Sequence, residues 1–371
     1  KFIEQLTKWY VRLNRPRLTG SDGPEDTGRA LSTLYEVLLT LSRIMAPFTP
    51  YFAEYIYQHL RILGGIATAK STEKTLDPSA SVHFENVPKF DPSRLDDEIE
   101  GQVSVLQDIV DLGRVVRERR SISMKMPLAK IIVVSRNPAK LAAVEKLRHY
   151  IKTELTCMDV EATNEEGKWC KFKAVADNKI LGRKLGKSFG KVRKEIGKLT
   201  HEQIIQFEDD GKIELAGCEV LTGELVIHRE FSGDKKVYEA QTTKAGDIVV
   251  IIDTRADDAM RQTYVAREVI SRVQKLRKTL GLRVGDEVEV FYKISDDAAS
   301  TAIEAALKAN MGMVKETIRT TMVPLANLPA DVSVLGSEIF DIADGKIELT
   351  LKSSNVGVDD ITVKLEAAGT N

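Results

Sequence analysis

The sequence contains few cysteines, and their spacing excludes the usual cysteine-based frameworks. The 371 residues include three cysteines, Cys157, Cys170 and Cys218, and no C-x-x-C pair. An odd number of widely separated cysteines predicts neither a structural zinc site nor a set of disulfides. No apolar run approaches the roughly 18 residues that a membrane-spanning helix needs. We therefore expect a protein of the reducing cytoplasm, with no membrane segment and no metal ligands.

Signatures of catalysis are also missing. None of the five histidines stands in a metal-ligand spacing such as H-E-x-x-H, and no strand-linked G-x-G-x-x-G occurs. The stretch GRKLGKS, from Gly182 to Ser188, resembles a phosphate-binding P-loop. It has only three residues between its glycines, whereas the P-loop has four, which let backbone N–H groups surround the phosphates. The stretch therefore does not predict a nucleotide site, and we predict no catalytic residues.

Hydrophobic periodicity predicts an α+β protein of several domains. Residues 1–96 read as a helical domain, in which the segment Ala46–Pro50, A-P-F-T-P, interrupts the helices. The surface loop expected at 67–78 and the short strand expected at 82–84 follow. Residues 97–243 and 244–371 are predicted to be two mixed α/β modules.

The two predicted modules resemble each other. Each begins with a basic helix (98–119 and 258–280), continues into a strand (131–134 and 288–292) and then a further helix (139–155 and 298–318). At an offset of 158 residues, Arg114 corresponds to Arg272 and Arg117 to Lys275. We interpret this as an internal duplication; a chance likeness between two basic helices is the alternative.

Positive charge is concentrated locally, although the whole chain carries a net charge of −1. Residues 168–198 hold eleven basic and two acidic residues, a net charge of +9, and residues 261–283 have a net charge of +6. Several such patches favour a polyanionic ligand, whose binding weakens steeply with salt, over solvated helix faces. Nearby Trp9, Tyr10 and Trp169 are candidates for stacking on unpaired bases, and a place in the core is the alternative for Trp9 and Tyr10. The glycines Gly182, Gly186 and Gly190 are interpreted as close-packing positions on a short helix or turn, where the backbone approaches either RNA or a neighbouring element.

Several long motifs carry a family resemblance. WYVRLNRPRLTG (9–20) and the A-P-F-T-P break resemble the anticodon-binding helical domain of class I aminoacyl-tRNA synthetases. DLGRVVRERRSISMKMPLAKIIVV (111–134), LGRKLGKSFGKV (181–192) and the run from Ile251 to Phe291 resemble the C-terminal part of the isoleucyl-tRNA synthetase family, eukaryotic cytosolic type. The resemblance implies an N-terminal helical bundle of the anticodon-binding type, followed by C-terminal domains.

The resemblance also implies which part of such an enzyme this chain represents. Synthetases of this family join isoleucine to its tRNA with ATP and magnesium, and their catalytic domain carries HIGH and KMSKS signatures. Neither signature occurs here. We therefore expect the C-terminal half of such an enzyme, inactive alone, without a cofactor of its own, monomeric, cytoplasmic and bound to tRNA-Ile.

Charge and motif position together select the candidate RNA-binding residues. In the helical domain they are expected to meet the anticodon stem and loop, because Arg binds phosphate or a purine edge and Asn reads adenine. The candidates there are Arg12, Asn14, Arg15 and Arg17. In the α/β modules the candidates are Arg114, Arg117, Arg183, Lys184, Lys187, Lys191, Arg272 and Lys275.

Two other functions remain open from the sequence. The C-terminal strands suit a protein-interaction module with partners in a multisynthetase assembly. A valyl or leucyl enzyme of the same group is the other alternative. A valyl enzyme is expected to end in a helical coiled-coil arm, with which the strands expected at 346–351 and 361–365 disagree.

Overall fold

The computed structural model describes residues 2–21, 23–63, 80–283, 286–295, 298–329, 332, 334–343 and 345–354. The chain divides into two compact units, Lys1–Glu100 and Gly101–Asn371. The expected loop at 67–78 and the expected strand at 361–365 lie outside the described residues. Among the helices that are described, none is long and apolar enough to cross a membrane.

The first unit is helical, as predicted. Its elements are α1 (Phe2–Gln5), a π-helical turn (Leu6–Val11), α2 (Arg15–Leu18), α3 (Pro24–Met45), α4 (Pro50–Leu63) and two 3-10 turns (Val82–Phe84 and Pro92–Arg94). The A-P-F-T-P segment separates α3 from α4, which confirms the predicted break. A small core of Ala46, Ala53, Tyr57 and Val82 holds α4 against the first 3-10 turn.

The short strand predicted at 82–84 is wrong, because this segment is a 3-10 turn. The carboxylate of Glu54 on α4 accepts hydrogen bonds from the Ser81 hydroxyl and the Val82 N–H, each at 2.9 Å. The Ser81 side chain in turn accepts from the N–H of His83. These bonds hold the segment against α4 as a 3-10 turn. Its β-branched and aromatic residues, taken alone, favour an extended strand.

The second unit begins with a helix, a sheet and a long insertion. The elements up to residue 253 are α5 (Asp97–Arg119), β1 (Leu128–Val134), α6 (Pro138–Lys146), α7 (Arg148–Leu155), β2 (Cys157–Thr163), α8 (Glu166–Trp169), β3 (Cys170–Ala176), α9 (Asn178–Leu185), a 3-10 turn (Gly186–Ser188), α10 (Phe189–Ile196), α11 (His201–Asp210), β4 (Lys212–Leu215), β5 (Cys218–Leu221), β6 (Leu225–Phe231), β7 (Tyr238–Thr242) and β8 (Val249–Asp253). The capping box predicted at Thr200 and Gln203 is confirmed at the start of α11.

The remaining elements follow the same course as the start of this unit. They are α12 (Asp258–Thr279), β9 (Val288–Ile294), α13 (Ala298–Ala309), α14 (Met311–Ile318), β10 (Met322–Pro324), a 3-10 turn (Leu325–Asn327), β11 (Gly336–Ile342) and β12 (Gly345–Ser353). The single helices predicted at 139–155 and 298–318 are each two helices, broken at Leu147 and Asn310. Buried positions stay in helical phase across both breaks, so the periodicity does not reveal them.

Two four-stranded sheets share one topology. Their strand orders are β2-β1-β8-β7 and β10-β9-β12-β11. In the first sheet, β1 pairs in parallel with β2, which follows α6 and α7, and antiparallel with β8 of the β7–β8 hairpin. In the second sheet, β9 pairs in parallel with β10, which follows α13 and α14, and antiparallel with β12 of the β11–β12 hairpin. Because β8 pairs with β1, the first sheet extends past residue 243, the predicted end of the first module. The domain limits otherwise stay a prediction.

The structural repeat has an offset of 160 residues, so the offset of 158 is wrong by two. Strands β1 and β9 begin at Leu128 and Val288. Arg117 donates to the carbonyls six and nine residues later, at Ser123 and Met126. Arg277 donates to the carbonyls of Arg283 and Asp286, at the same separations. Basic residues are frequent in both helices, so a shifted alignment also matches charges.

Arg117 is a structural residue and not an exposed RNA contact. It is 1% exposed, and besides Ser123 and Met126 it donates to the carbonyl of Leu155 at 2.6 Å and of Thr156 at 3.4 Å. Burial lowers the pKa of its guanidinium to about 10, which leaves it protonated at neutral pH. Its charge ties the end of α5 to the end of α7, and its predicted role in RNA binding is corrected accordingly.

The two equivalent arginines predict different costs of removal. Arg117→Met should lower the free energy of unfolding by about 3 kcal/mol or more, because it leaves several buried carbonyls without donors. Arg277→Met should cost about 1–2 kcal/mol, because Arg277 is only half-buried and holds two carbonyls. Urea denaturation followed by circular dichroism measures both. Equal losses would contradict the different burial of the two side chains.

Candidate nucleic-acid interface

The basic segment lies in an insertion between β2 and β7 that has its own core. Strands β3 and β6 pair antiparallel along seven residues. The inner face of this pair packs with α9, α10 and α11 around a buried cluster. Its helical members are Leu181, Val192, Ile196, Ile204 and Phe207. The insertion is therefore a folded platform and not a loose basic loop.

A buried ionic network fixes the platform to the first sheet. The Arg229 guanidinium on β6 donates to Glu166 at 2.9 Å and to both carboxylate oxygens of Glu208 at 3.0 Å. The side chains of Arg229 and Glu166 are 7% and 4% exposed. Arg136, which follows β1, binds Glu208 from the other side at 3.1 Å. Glu208 on α11 thus links Arg229 on β6 to Arg136 beside the first sheet.

Helices α9 and α10, together with Lys198 just after α10, present exposed cations, which we name the basic surface. Leu181, Val192 and Ile196 point into the platform core, so the intervening residues face solvent. The basic surface consists of Lys179, Arg183, Lys191, Arg193, Lys194 and Lys198. None of these six makes an ion pair with another residue in the described ranges. They provide positive charge that no neighbouring carboxylate in that part neutralises.

The glycines of this segment do not serve close packing within the chain. A Cβ built on Gly182 or Gly190 would meet nothing within 4 Å in the described part of the chain. Gly186 has φ 49° and ψ −114°, a conformation that side-chain-bearing residues avoid. The interpretation of these glycines as positions where a neighbouring element packs is therefore wrong within the described residues, and the close approach of RNA stays a prediction. Gly186 forms the turn between α9 and α10, and the other two leave the helix surface bare.

The predicted site residues of this segment separate into two groups. Arg183 and Lys191 belong to the basic surface. The ammonium of Lys184 instead donates to both carboxylate oxygens of Glu224 and to the Glu219 carbonyl, each at 2.9 Å. Burial raises the pKa of Glu224, but the Leu221 N–H and Lys184 outweigh it and lower that pKa overall. Lys184 is thus bound within the platform, and Lys187 lies in the turn Gly186–Ser188.

The N-terminal candidates also separate. Asn14 is 9% exposed, donates to the Tyr10 carbonyl at 2.8 Å and accepts from Arg17 at 2.8 Å. Arg17 forms a two-pronged ion pair with Asp26 at 2.6 and 2.7 Å. Asn14 therefore lacks a free edge to read adenine, which corrects that expectation. Arg12 and Arg15 are exposed on the same segment.

The candidates on α5 and α12 have protein partners. Arg114 donates to the buried Glu154 at 2.7 Å. Arg272 and Lys275 lie over the Phe340 ring, 5.8 and 5.4 Å from its centroid. Lys275 also approaches Glu338 at 3.5 Å. These contacts compete with any phosphate contact.

The aromatic candidates contribute to packing. Trp169 is 9% exposed and lies against Phe231 and Tyr238. The Tyr10 hydroxyl donates to the Ala30 carbonyl at 3.0 Å. Stacking of RNA bases on Trp169 is therefore not available in this arrangement.

Comparison with known proteins identifies the N-terminal region. A family model for the anticodon-binding domain of tRNA ligase matches residues 1–133. Residues 1–133 are therefore similar to an anticodon-binding domain of tRNA ligases. The matched range includes the helical unit, α5 and most of β1.

The chain as a whole is similar to isoleucine–tRNA ligases. The probable cytoplasmic isoleucine–tRNA ligase of Dictyostelium discoideum is 39% identical over 86% of the chain, and the cytoplasmic enzyme of Saccharomyces cerevisiae is 38% identical over 86%. The cytoplasmic enzyme of Caenorhabditis elegans is 33% identical over 98%. The chain spans only 28%, 29% and 31% of these relatives. The predicted resemblance to the isoleucyl family is confirmed.

Four members of the basic surface were absent from the candidates chosen by sequence: Lys179, Arg193, Lys194 and Lys198. The charge count of 168–198 included them, but charge alone does not say which side chains face solvent. The spacing of Leu181, Val192 and Ile196 supplies that information once these residues are assigned to helices. RNA contact by any of the candidates stays a prediction.

The glycine geometry gives a direct test. Gly182→Ala should raise the free energy of unfolding by about 0.5–1 kcal/mol, since alanine favours the helix and its Cβ meets open space. Gly186→Ala should lower it by about 1 kcal/mol or more, because the turn requires glycine. Thermal and urea unfolding of the two variants provide the comparison. Destabilisation by Gly182→Ala would show that another segment packs at this position.

Proposed function

We propose that this chain is the tRNA-recognition portion of an isoleucine–tRNA ligase, whose complete form attaches isoleucine to tRNA-Ile with ATP and magnesium. The observation that carries the proposal is the anticodon-binding domain match at residues 1–133, within a chain similar throughout to isoleucine–tRNA ligases. We assign amino-acid activation, with its ATP and magnesium, to regions of the complete enzyme outside this chain, because HIGH and KMSKS sequences do not occur here.

The basic surface supplies the electrostatic part of recognition. Six exposed cations on a folded platform suit the phosphate backbone, because neutralising phosphates releases condensed counterions. Such contacts position the RNA but carry no sequence information. We assign base reading to the anticodon-binding domain, where Arg12 and Arg15 are exposed beside the ordered Asn14–Arg17–Asp26 cluster. The names of the relatives support a cytoplasmic location, and we expect a monomer.

A protein contact is the second candidate function, and one observation favours it. Helix α4 and the segment before it expose large aromatic side chains: Phe48, Tyr51, Phe52 and Tyr55, which are 60–92% exposed. Exposed aromatic faces of this kind mark protein contacts. A multisynthetase partner or another part of the complete enzyme would fit this face. Such a contact is compatible with tRNA binding through the basic surface.

Salt dependence tests the basic surface. The double variant Lys191→Gln with Arg193→Gln should reduce the slope of log Kd against log salt for tRNA-Ile by up to about 1.4–1.8, since each lost phosphate contact removes roughly 0.7–0.9. Fluorescence anisotropy with a labelled transcript measures the slope.

Lys184→Gln is the matched control, because Lys184 lies in the same segment but binds Glu224. It should reduce stability and leave the slope unchanged. An unaltered slope in the double variant, or an equal loss in the control, would remove the basic surface from the interface.

A second pair of variants tests the anticodon-binding domain. Arg15→Ala should weaken binding of tRNA-Ile and reduce discrimination against an anticodon-swapped transcript, with little change in melting temperature, because Arg15 makes no ion pair within the described residues. Arg17→Ala should lower the melting temperature, since it breaks the pair with Asp26. A melting-temperature loss without an affinity change in Arg15→Ala would mean a structural role for Arg15. Equal affinity of the unaltered chain for both transcripts would contradict anticodon recognition.

A further inference from the structure

The second module contains a cavity at the position that Arg117 closes in the first module. The cavity has a volume of about 840 Å³ and is open to solvent. Its lining includes Arg277, the structural equivalent of Arg117, together with Ile318 and Arg319 at the end of α14. Arg277, Lys278 and Arg283 of its lining belong to residues 261–283, the segment whose net charge is +6.

The repeat explains why the space is open. In the first module, Arg117 bridges to the carbonyls of Leu155 and Thr156 at the end of α7. Thr156 has φ 49°, and its equivalent at the end of α14, Arg319, has φ 59°. Arg277 bonds to carbonyls on its own loop, and within the described part of the chain it makes no bond to Ile318 or Arg319. Within the described residues, the second module therefore lacks the side-chain bridge that Arg117 makes in the first module, and the cavity lies at the equivalent position.

The cavity has also gained positive charge relative to the first module. At the offset of 160, Lys278 replaces Glu118 and Arg283 replaces Ser123. Arg319 stands where the first module has Thr156. Three cations thus line the cavity at positions that are acidic or neutral in the equivalent module, while Gln274 replaces Arg114, and Asp286 and Glu287 replace Met126 and Pro127.

The rest of the lining fits an anion that also accepts hydrogen bonds. Hydroxyls come from Thr317, Thr320 and Ser354. Of the two carboxylates, Asp286 accepts from the Arg283 N–H at 2.6 Å and is engaged in the loop. Lys278 and Arg319 are exposed and make no ion pair with the residues that the structure describes. Their charges are available to a ligand.

We propose that this cavity binds backbone phosphates of an unpaired tRNA segment, with Lys278 and Arg319 as the direct contacts and Arg283 supporting them. Phosphates of an unpaired strand can enter a concave site of this size, whereas a duplex presents its phosphates along a wide surface. This inference rests on the proposed function, because it names a second site on the same RNA. It adds a contact separate from the basic surface on α9 and α10.

The test uses the double variant Lys278→Gln with Arg319→Asn in the full chain. Asparagine tolerates the left-handed conformation at 319, and both side chains are exposed, so folding should persist. Anisotropy with labelled tRNA-Ile should show roughly tenfold weaker binding or more, and a salt slope lower by about 1.4 for two single-strand phosphate contacts.

Lys346→Gln is the matched control. Lys346 is exposed on β12 of the same sheet, eight residues before the cavity residue Ser354, which is about 26 Å along a strand. It should bind tRNA-Ile as the unaltered chain does. Unchanged affinity and slope in the double variant, or an equal loss in the control, would overturn the cavity site.

Two further outcomes separate the proposals. If the unaltered chain does not bind tRNA-Ile, the proposed function fails and this site fails with it. If the unaltered chain binds tRNA-Ile and the double variant binds it equally well, the proposed function stands and the cavity site alone fails. Calorimetric titration with AMP provides a further arm. Saturable AMP binding that the double variant abolishes would indicate a free-nucleotide site and overturn the RNA assignment.

Discussion

The ion pair between Arg229 and Glu166 is the contact on which the position of the basic surface depends. It is buried, and Glu208 and Arg136 extend it to the first sheet. Removing one partner of such a network typically costs about 3–5 kcal/mol, because it leaves an uncompensated buried charge. The network therefore fixes in one place a helical segment that is otherwise rich in like charges. Electrostatic attraction to RNA requires the cations of that segment to be exposed, while its apolar residues pack on the platform core that the ionic network joins to the first sheet.

The two modules share one topology but differ in the contacts of their equivalent arginines, Arg117 and Arg277. In the first, Arg117 closes the joint between α5 and α7 and is inaccessible. In the second, Arg277 holds only its own loop and faces an open, cation-lined cavity. A long insertion also distinguishes the first module, since β7 follows β2 only after the platform. The shared topology thus supplies a stable frame, and the proposed phosphate-binding features occur where the two modules differ.

The sequence predicted the order of helices and strands well, because amphipathic period, the proline break and the Thr200 cap are local signals. It predicted individual site residues less well. Lys184, Asn14 and Arg117 have polar groups of the kind that bind RNA. These groups instead make hydrogen bonds to the Glu224 carboxylate, the Tyr10 carbonyl and other backbone carbonyls. The partners of Lys184 and Arg117 include residues 40 and 38 positions away, so no local pattern shows them, whereas the Asn14 contact is only four residues long and depends on the local helical turn. The repeat offset was missed for a similar reason, since charge recurs in both helices while hydrogen-bond register is visible only in three dimensions.

The central claim is that tRNA lies on the basic surface, and lysine acetylation measured by mass spectrometry tests it most directly. The chain is treated with an acetylating reagent with and without tRNA-Ile, at low and high salt. The account predicts that tRNA protects Lys179, Lys191, Lys194 and Lys198 at low salt, that high salt abolishes the protection, and that the exposed Lys146 and Lys346 react equally throughout. Equal acetylation of the basic-surface lysines with and without bound tRNA would contradict it.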